Sequence, residues 1–138
     1  MRIVVCGSMI FFRQMVELKK ELTLCGHSVT LPHRAGEYAN GNLPPESPGE
    51  SAANKIKYDL IRFYFEEINK GDAVLVLNGE RHGVPNYIGG NTFLEMGFAH
   101  VLNKKIFLLN PIPEIGYKDE IIAIQPTVLD GDFSKISD

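Results

Sequence analysis

Asp72-Ala73-Val74-Leu75-Val76-Leu77-Asn78 is the most continuously apolar run in the chain. A strand without a polar face belongs in the middle of a parallel sheet, where helices cover both sides. Arg2-Ile3-Val4-Val5-Cys6 before Gly7-Ser8, and Lys104 to Leu109 before Asn110-Pro111, have the same character. His27 to Pro32 and Pro126 to Leu129 read as shorter strands. Helical patterns fill the spaces between them. Phe11, Met15, Leu18, Leu22 and Cys25 fall four, three, four and three residues apart, and Gly26 closes that pattern. Ala52 to Lys70 is the longest, with Ile56, Leu60, Ile61, Phe63, Tyr64 and Ile68 on a broad apolar face. Thr92 to Asn103 and Tyr117 to Ile124 complete the set.

Strict alternation of strand and helix predicts an α/β fold, a flavodoxin-like or Rossmann-like three-layer sandwich. Its five-stranded parallel sheet is expected in the order 2-1-3-4-5. One domain spanning 1–138 accommodates all of it. Residues 33–54 carry turn and breaker signals throughout, among them Pro44-Pro45 and Ser47-Pro48-Gly49. A loop of that length at the end of a strand reads as a mobile lid. The tail from Asp130 is expected to be loosely held.

Composition excludes several classes of function. A formal charge of −3 gives no general attraction to a nucleic acid polymer or an anionic membrane. No apolar run has the length of a membrane span. Met1 to Phe12 is apolar, but Arg13, Glu17, Lys19 and Lys20 follow in helical phase without a cleavage site, so export is not expected. Cys6 and Cys25 form neither CxxC nor a zinc spacing and read as reduced, buried thiols of a cytoplasmic protein. His27, His33, His82 and His100 include no i, i+4 pair, and no metal site is expected. Gly7-Ser8 lacks both the dinucleotide fingerprint and the Walker lysine, so no nucleotide cofactor is expected either.

In the expected strand order the ligand crevice lies at the carboxyl ends of the first and third strands. Gly7-Ser8-Met9, Asn78 and the Gly89-Gly90-Asn91 turn meet there. Backbone N–H groups after Gly7 suit a phosphate or hydroxyl. Glu95 carries two readings. Thr92-Phe93-Leu94-Glu95 fits the S/T-x-x-E capping box, in which the glutamate serves only the helix end. Alternatively Glu95 is a nucleophilic carboxylate attacking a sugar carbon with oxocarbenium character. Asp72 reads as structural, and Asp59 as a solvated charge in preference to an inward acid.

These segments resemble the nucleoside 2-deoxyribosyltransferase-like superfamily, which includes the 2′-deoxynucleoside 5′-phosphate N-hydrolases. The matching stretches are Val5-Cys6-Gly7-Ser8 with Gly26-His27-Ser28-Val29, Gly71 to Val76, and Leu94-Glu95-Met96-Gly97-Phe98-Ala99 followed by Lys105-Ile106. The resemblance implies that Glu95 forms a glycosyl-enzyme ester as the base departs, and that water or a second base completes the reaction. It implies that Ser8 helps hold a 5′-phosphate, and that the protein is a homodimer or higher homo-oligomer. Thr92, Asn78 and Tyr64 would line the same pocket. The departures are specific. The family's first-strand tyrosine is replaced by Val4 or Val5, its acid eight residues before Asp72 by Tyr64, and its polar residue six before the nucleophile by Gly89. A non-catalytic nucleotide-binding or signalling module is therefore the alternative to a glycosidic-bond enzyme.

Overall fold

Strand β1 (Arg2–Gly7) pairs in parallel with β2 (Ser28–Thr30) on one side and β3 (Ala73–Leu77) on the other. Strand β4 (Lys105–Leu108) joins β3, and β5 (Thr127–Val128) joins β4, again in parallel. The five-stranded sheet thus has the order β2-β1-β3-β4-β5 that the alternation predicts. The computed structural model describes residues 1–32, 35, 41 and 49–137. Most of the expected lid at 33–54 lies outside the described residues.

Period-two alternation sends successive side chains of each strand to opposite layers. Ile3 and Val5 of β1, with Ala73, Leu75 and Leu77 of β3, pack with Met15, Leu18 and Leu22 of helix α1 (Phe12–Leu24). Val4 and Cys6, with Val74 and Val76, face the other layer and meet Ile68, Met96 and Ala99. All five residues of β3 are buried, as a central strand requires. Each large aliphatic side chain enclosed in this way contributes about 1.5–3 kcal/mol. A short 3-10 turn, Met9–Phe11, connects β1 to α1.

Gly7 sits where β1 leaves no room for a side chain beside β3. A Cβ at that position would lie 2.9 Å from the Leu77 carbonyl oxygen and 3.1 Å from the Met15 methyl carbon. No larger residue fits without moving backbone.

The expected helix over 52–70 is in fact two, α2 (Glu50–Lys57) and α3 (Leu60–Lys70). The break falls at Asp59, which adopts a left-handed conformation with φ 48°. Aspartate tolerates that region better than most residues, and its carbonyl accepts from the Phe63 N–H at 2.9 Å to start α3. Merging the two helices produced the broad apolar face. In the fold Tyr64 and Ile68 are buried, whereas Ile56 is 82% exposed and Ile61 and Phe63 are each 44% exposed. The Asp59 side chain is exposed and paired with Arg62 at 3.2 Å, in keeping with the solvated reading.

Two smaller expectations also change. Cys25 is exposed, because it is the C-cap of α1 beyond the buried stripe. The tail is anchored. Ile136 is buried, Lys135 Nζ donates to the Val128 and Leu129 carbonyls, and Lys105 Nζ donates to the Ser137 carbonyl at 2.6 Å. Helices α4 (Gly90–Val101) and α5 (Lys118–Ile124) complete the second layer. Among the described residues no helix is long and apolar enough to cross a membrane.

Candidate functional site

Helix α4 buries Thr92, Glu95, Met96 and Ala99, a stripe at i, i+3, i+4 and i+7 that faces the sheet. Three of those residues suit an interior and one does not. Glu95 is only 6% exposed. Its position follows from helical phase, since any side chain one residue before Met96 and three after Thr92 turns toward β1 and β3. A carboxylate there costs free energy unless its charge is supported.

The capping alternative is not what the structure shows. The N-cap of α4 is Gly89, in extended conformation, which has no side chain to cap the helix. Thr92 lies inside the helix and Glu95 in its second turn, too far along to return to the cap. The Glu95 Oε1 accepts instead from Asn91 Nδ2 at 3.1 Å. The Cys6 thiol, delivered to the same layer by the pleat of β1, lies against it from the sheet side. Burial raises the Glu95 carboxyl to about 7, against lowering contributions from Cys6, Asn91 and the charge of Lys55 on α2. Burial and the neighbouring carboxylate push the Cys6 thiol well above its ordinary range. Cys6 is thus a neutral partner of Glu95, not a thiolate nucleophile.

Gly89, Gly90 and Asn91 open α4. The Phe93 N–H closes the first turn on the Gly89 carbonyl at 2.9 Å, leaving the amides before it without helical partners. Gly90 and Asn91 are exposed and Gly89 half-buried. The opening is fixed from the side by aromatic packing. The Phe93 and Tyr117 rings stack with centroids 4.8 Å apart, and the Tyr117 hydroxyl donates to the Ile88 carbonyl.

Across the sheet edge, Ser8 and Met9 are half-buried at the end of β1. The Ser8 Oγ accepts from the Ile10 N–H at 3.4 Å, capping the 3-10 turn. It also accepts from Arg81 Nη1, a contact between residues 73 positions apart. Arg81 belongs to the loop after β3 and was not singled out by any sequence signal. Its loop is well defined. Arg81 and Val84 exchange backbone hydrogen bonds at 3.1 and 2.9 Å around His82 and Gly83, both at positive φ (54° and 73°). That is the pattern of a type I′ turn. The His82-Gly83 pair at the turn centre could have been read from sequence; its proximity to Ser8 could not.

Asn78 is fully enclosed. Its Nδ2 donates to the Asn110 and Pro111 carbonyls at 3.0 and 3.1 Å, its Oδ1 accepts from the Asn110 N–H at 2.9 Å, and its carbonyl accepts from Asn110 Nδ2 at 2.9 Å. The side chain straps the ends of β3 and β4 together, and its amide is spent on that task. Tyr64 is buried on α3 with its ring edge-on to Phe63 at 5.5 Å, in the helix that packs on α4. Val4 and Val5 are core residues. Among the described residues no group of three His, Cys, Asp or Glu side chains is placed to hold a metal ion.

No protein-family model and no curated protein sequence matches the chain. Among solved structures it is similar to the Clostridium botulinum CMP N-glycosidase BcmB, with a TM-score of 0.52 and 18% identity. The match covers 93% of this chain and 85% of that one. At this level of identity the likeness is one of fold. The three-layer α/β architecture is shared.

Proposed function

We propose that this protein cleaves the N-glycosidic bond of a nucleoside or nucleoside 5′-monophosphate through Glu95. One observation carries the reading. A carboxylate occupies the sheet-facing stripe of α4, supported by Cys6 and Asn91, where a hydrophobic residue would be more stable. The resemblance of the sequence to the deoxyribosyltransferase-like enzymes and the fold shared with a CMP N-glycosidase favour the same chemistry.

The reaction balances as two displacements at one carbon. An Oε lone pair of ionised Glu95 bonds to C1′ as the C1′–N bond breaks, and its electron pair leaves with the base, which is protonated from water. Water, or a second base, then attacks C1′ from the opposite face. The ester C–O bond breaks, Glu95 returns as carboxylate, and the attacking group loses its proton. Asn91 orients the carboxylate by its hydrogen bond to Oε1. Ser8, Met9, Gly7 and the amides at Gly89 to Thr92 border the sugar and phosphate end, with Tyr64 on the neighbouring helix. The site is expected to work without metal or cofactor. The exposed apolar residues Ile56, Ile61, Phe63, Leu94 and Val101 on α2, α3 and α4 suit a homodimer.

A second reading has its own support. Among the described residues, the groups that act on Glu95 are a thiol, an amide and a lysine, with no second carboxylate to protonate the leaving base. General-acid help is typically worth ~10²–10⁴-fold in rate. A nucleotide-binding module without turnover is therefore the competitor. Chromatography of free base, over a panel of nucleosides and 5′-monophosphates, separates the two. Base release that disappears in Glu95→Gln supports the enzyme; a blank panel, with nucleotide binding retained, supports the binding module.

A further inference from the structure

A nucleobase leaves a sugar far more easily with a proton than without one. Most polar side chains around the crevice are already occupied. Asn78 ties β3 to β4, Asn91 holds Glu95, and the Tyr117 hydroxyl donates to the Ile88 carbonyl. Ser8 and Arg81, paired with each other, retain protons, but neither a serine hydroxyl nor a guanidinium releases one readily. Tyr87 differs from all of these. It stands half-buried in the loop between β3 and α4, and among the described residues its hydroxyl has no hydrogen-bond partner. No buried polar side-chain atom among them lacks a partner, so this hydroxyl opens on solvent. A phenol is the most acidic of these free donors.

The ring is held over the mouth of α4. The Tyr87 N–H donates to the Gly79 carbonyl at 2.9 Å, which ties the residue to the carboxyl end of β3. Its ring lies edge-on to His82, with centroids 5.4 Å apart. A Cβ at Gly89 would lie 3.4 Å from the ring edge and 3.9 Å from the hydroxyl oxygen. Gly89 is the N-cap of α4, at i−3 from Thr92 and i−7 from Met96, so it continues the sheet-facing side of the helix. Glu95 belongs to that side too. Helical side chains lean toward the N-terminus, and the hydrogen bond from Asn91 in the first turn holds the Glu95 carboxylate there. Phenol and carboxylate therefore flank the same end of α4, at the carboxyl edge of the sheet.

We infer that Tyr87 is the general acid of the glycosidic reaction and, in place of water, protonates the departing base. The inference rests on the reading of Glu95 as nucleophile. As the C1′–N bond breaks, the Tyr87 O–H bond breaks and its proton passes to the base nitrogen. In the second half the tyrosinate takes a proton from the attacking water or base, and both side chains return to their starting states.

The test uses two leaving groups on one sugar or sugar 5′-phosphate. One is a neutral nucleobase; the other is nicotinamide joined through its pyridinium nitrogen, which departs neutral and needs no proton. Tyr87→Phe keeps the ring against His82 and Gly89 and removes only the hydroxyl. It should lower kcat for the nucleobase by roughly 10²–10⁴-fold at similar KM, and leave nicotinamide release nearly unchanged. Glu95→Gln should abolish both. Equal losses for the two leaving groups, or an undiminished nucleobase rate, overturn the role of Tyr87 while Glu95 stands. A loss confined to the nucleobase in Lys55→Met, and absent in Tyr87→Phe, overturns it in favour of the α2 amine. Glu95-dependent release of nicotinamide alone by the wild type overturns it as well, since no acid is then at work. Wild-type protein that releases neither group overturns both this role and the glycosidic reading.

Discussion

The Cys6 thiol and the Glu95 carboxylate lie against each other where β1 meets α4: the carboxylate opposes ionisation of the thiol, the thiol's hydrogen bond favours the ionised carboxylate, and burial outweighs that help. The arrangement joins two periodicities. The pleat of β1 turns Cys6 toward the helix layer, and the helical phase of α4 turns Glu95 toward the sheet. The consequence is a carboxylate that titrates near neutrality, far above the usual range of its type.

Turnover should therefore depend on pH. A nucleophilic Glu95 must be ionised, and burial places its carboxyl at about 7. The rate in the free enzyme should rise tenfold per pH unit below about 7 and level off above it. Asn91→Ala removes a hydrogen bond that favours the ionised form, so the limb should move to higher pH. A kcat/KM profile of both proteins checks this. A flat profile from pH 5 to 9, or a limb moved downward in Asn91→Ala, would rule it out.

Stability should move in the opposite sense to activity. The folded-state value of about 7 lies above the ordinary 4.5, so between them the folded chain holds a proton that the unfolded chain has released. Folding stability is then fully present below about 4.5 and declines as pH rises toward about 7, by up to ~3 kcal/mol. Glu95→Gln removes that penalty. Relative to wild type, the variant should gain stability between acid and mildly alkaline pH, by about that amount. Urea melts at the two ends of the range measure it, and an unchanged difference between the proteins defeats the prediction.

Asn78→Ala should destabilise by about 2–4 kcal/mol, because several buried hydrogen bonds to Asn110 and Pro111 are lost and their partners stranded. Equilibrium unfolding measures the loss. A change under ~1 kcal/mol would show that water replaces the amide and that the strap is dispensable.

Gly7→Ala should cost about 1–3 kcal/mol, since the added methyl meets the Leu77 carbonyl oxygen at 2.9 Å inside a packed sheet. Gly26→Ala is the comparison, because both glycines sit at positive φ (157° at Gly7, 90° at Gly26) where a side chain is strained, but only at Gly26 is the space open. If the Gly7 variant melts above the Gly26 variant, the close approach of β1 and β3 is not the constraint described.

Much of this architecture was present in one dimension. Continuous apolar strands alternating with helical stretches require a parallel sheet with both faces covered, and right-handed crossovers leave few strand orders to choose from. The run from Ala73 to Leu77 places itself at the centre because it has no polar face to expose. Glu95 was also visible, as a carboxylate near a glycine-opened helix, but its role was not. The spacing Thr92 to Glu95 is the same in a capping box and in a buried stripe, and only the position of the N-cap at Gly89 separates them.

The tertiary structure decided what depends on contacts distant in sequence. A left-handed residue at Asp59 divides a helical pattern that periodicity alone runs together, because aspartate is compatible with both conformations. Burial sets the charge state of Glu95, and burial is a property of the packed layers. The pairing of Ser8 with Arg81 spans 73 positions and exists only because β1 and β3 are neighbours whose ends open on the same edge. Local pattern specifies which elements form; the chemistry of the crevice comes from which of their ends are brought together.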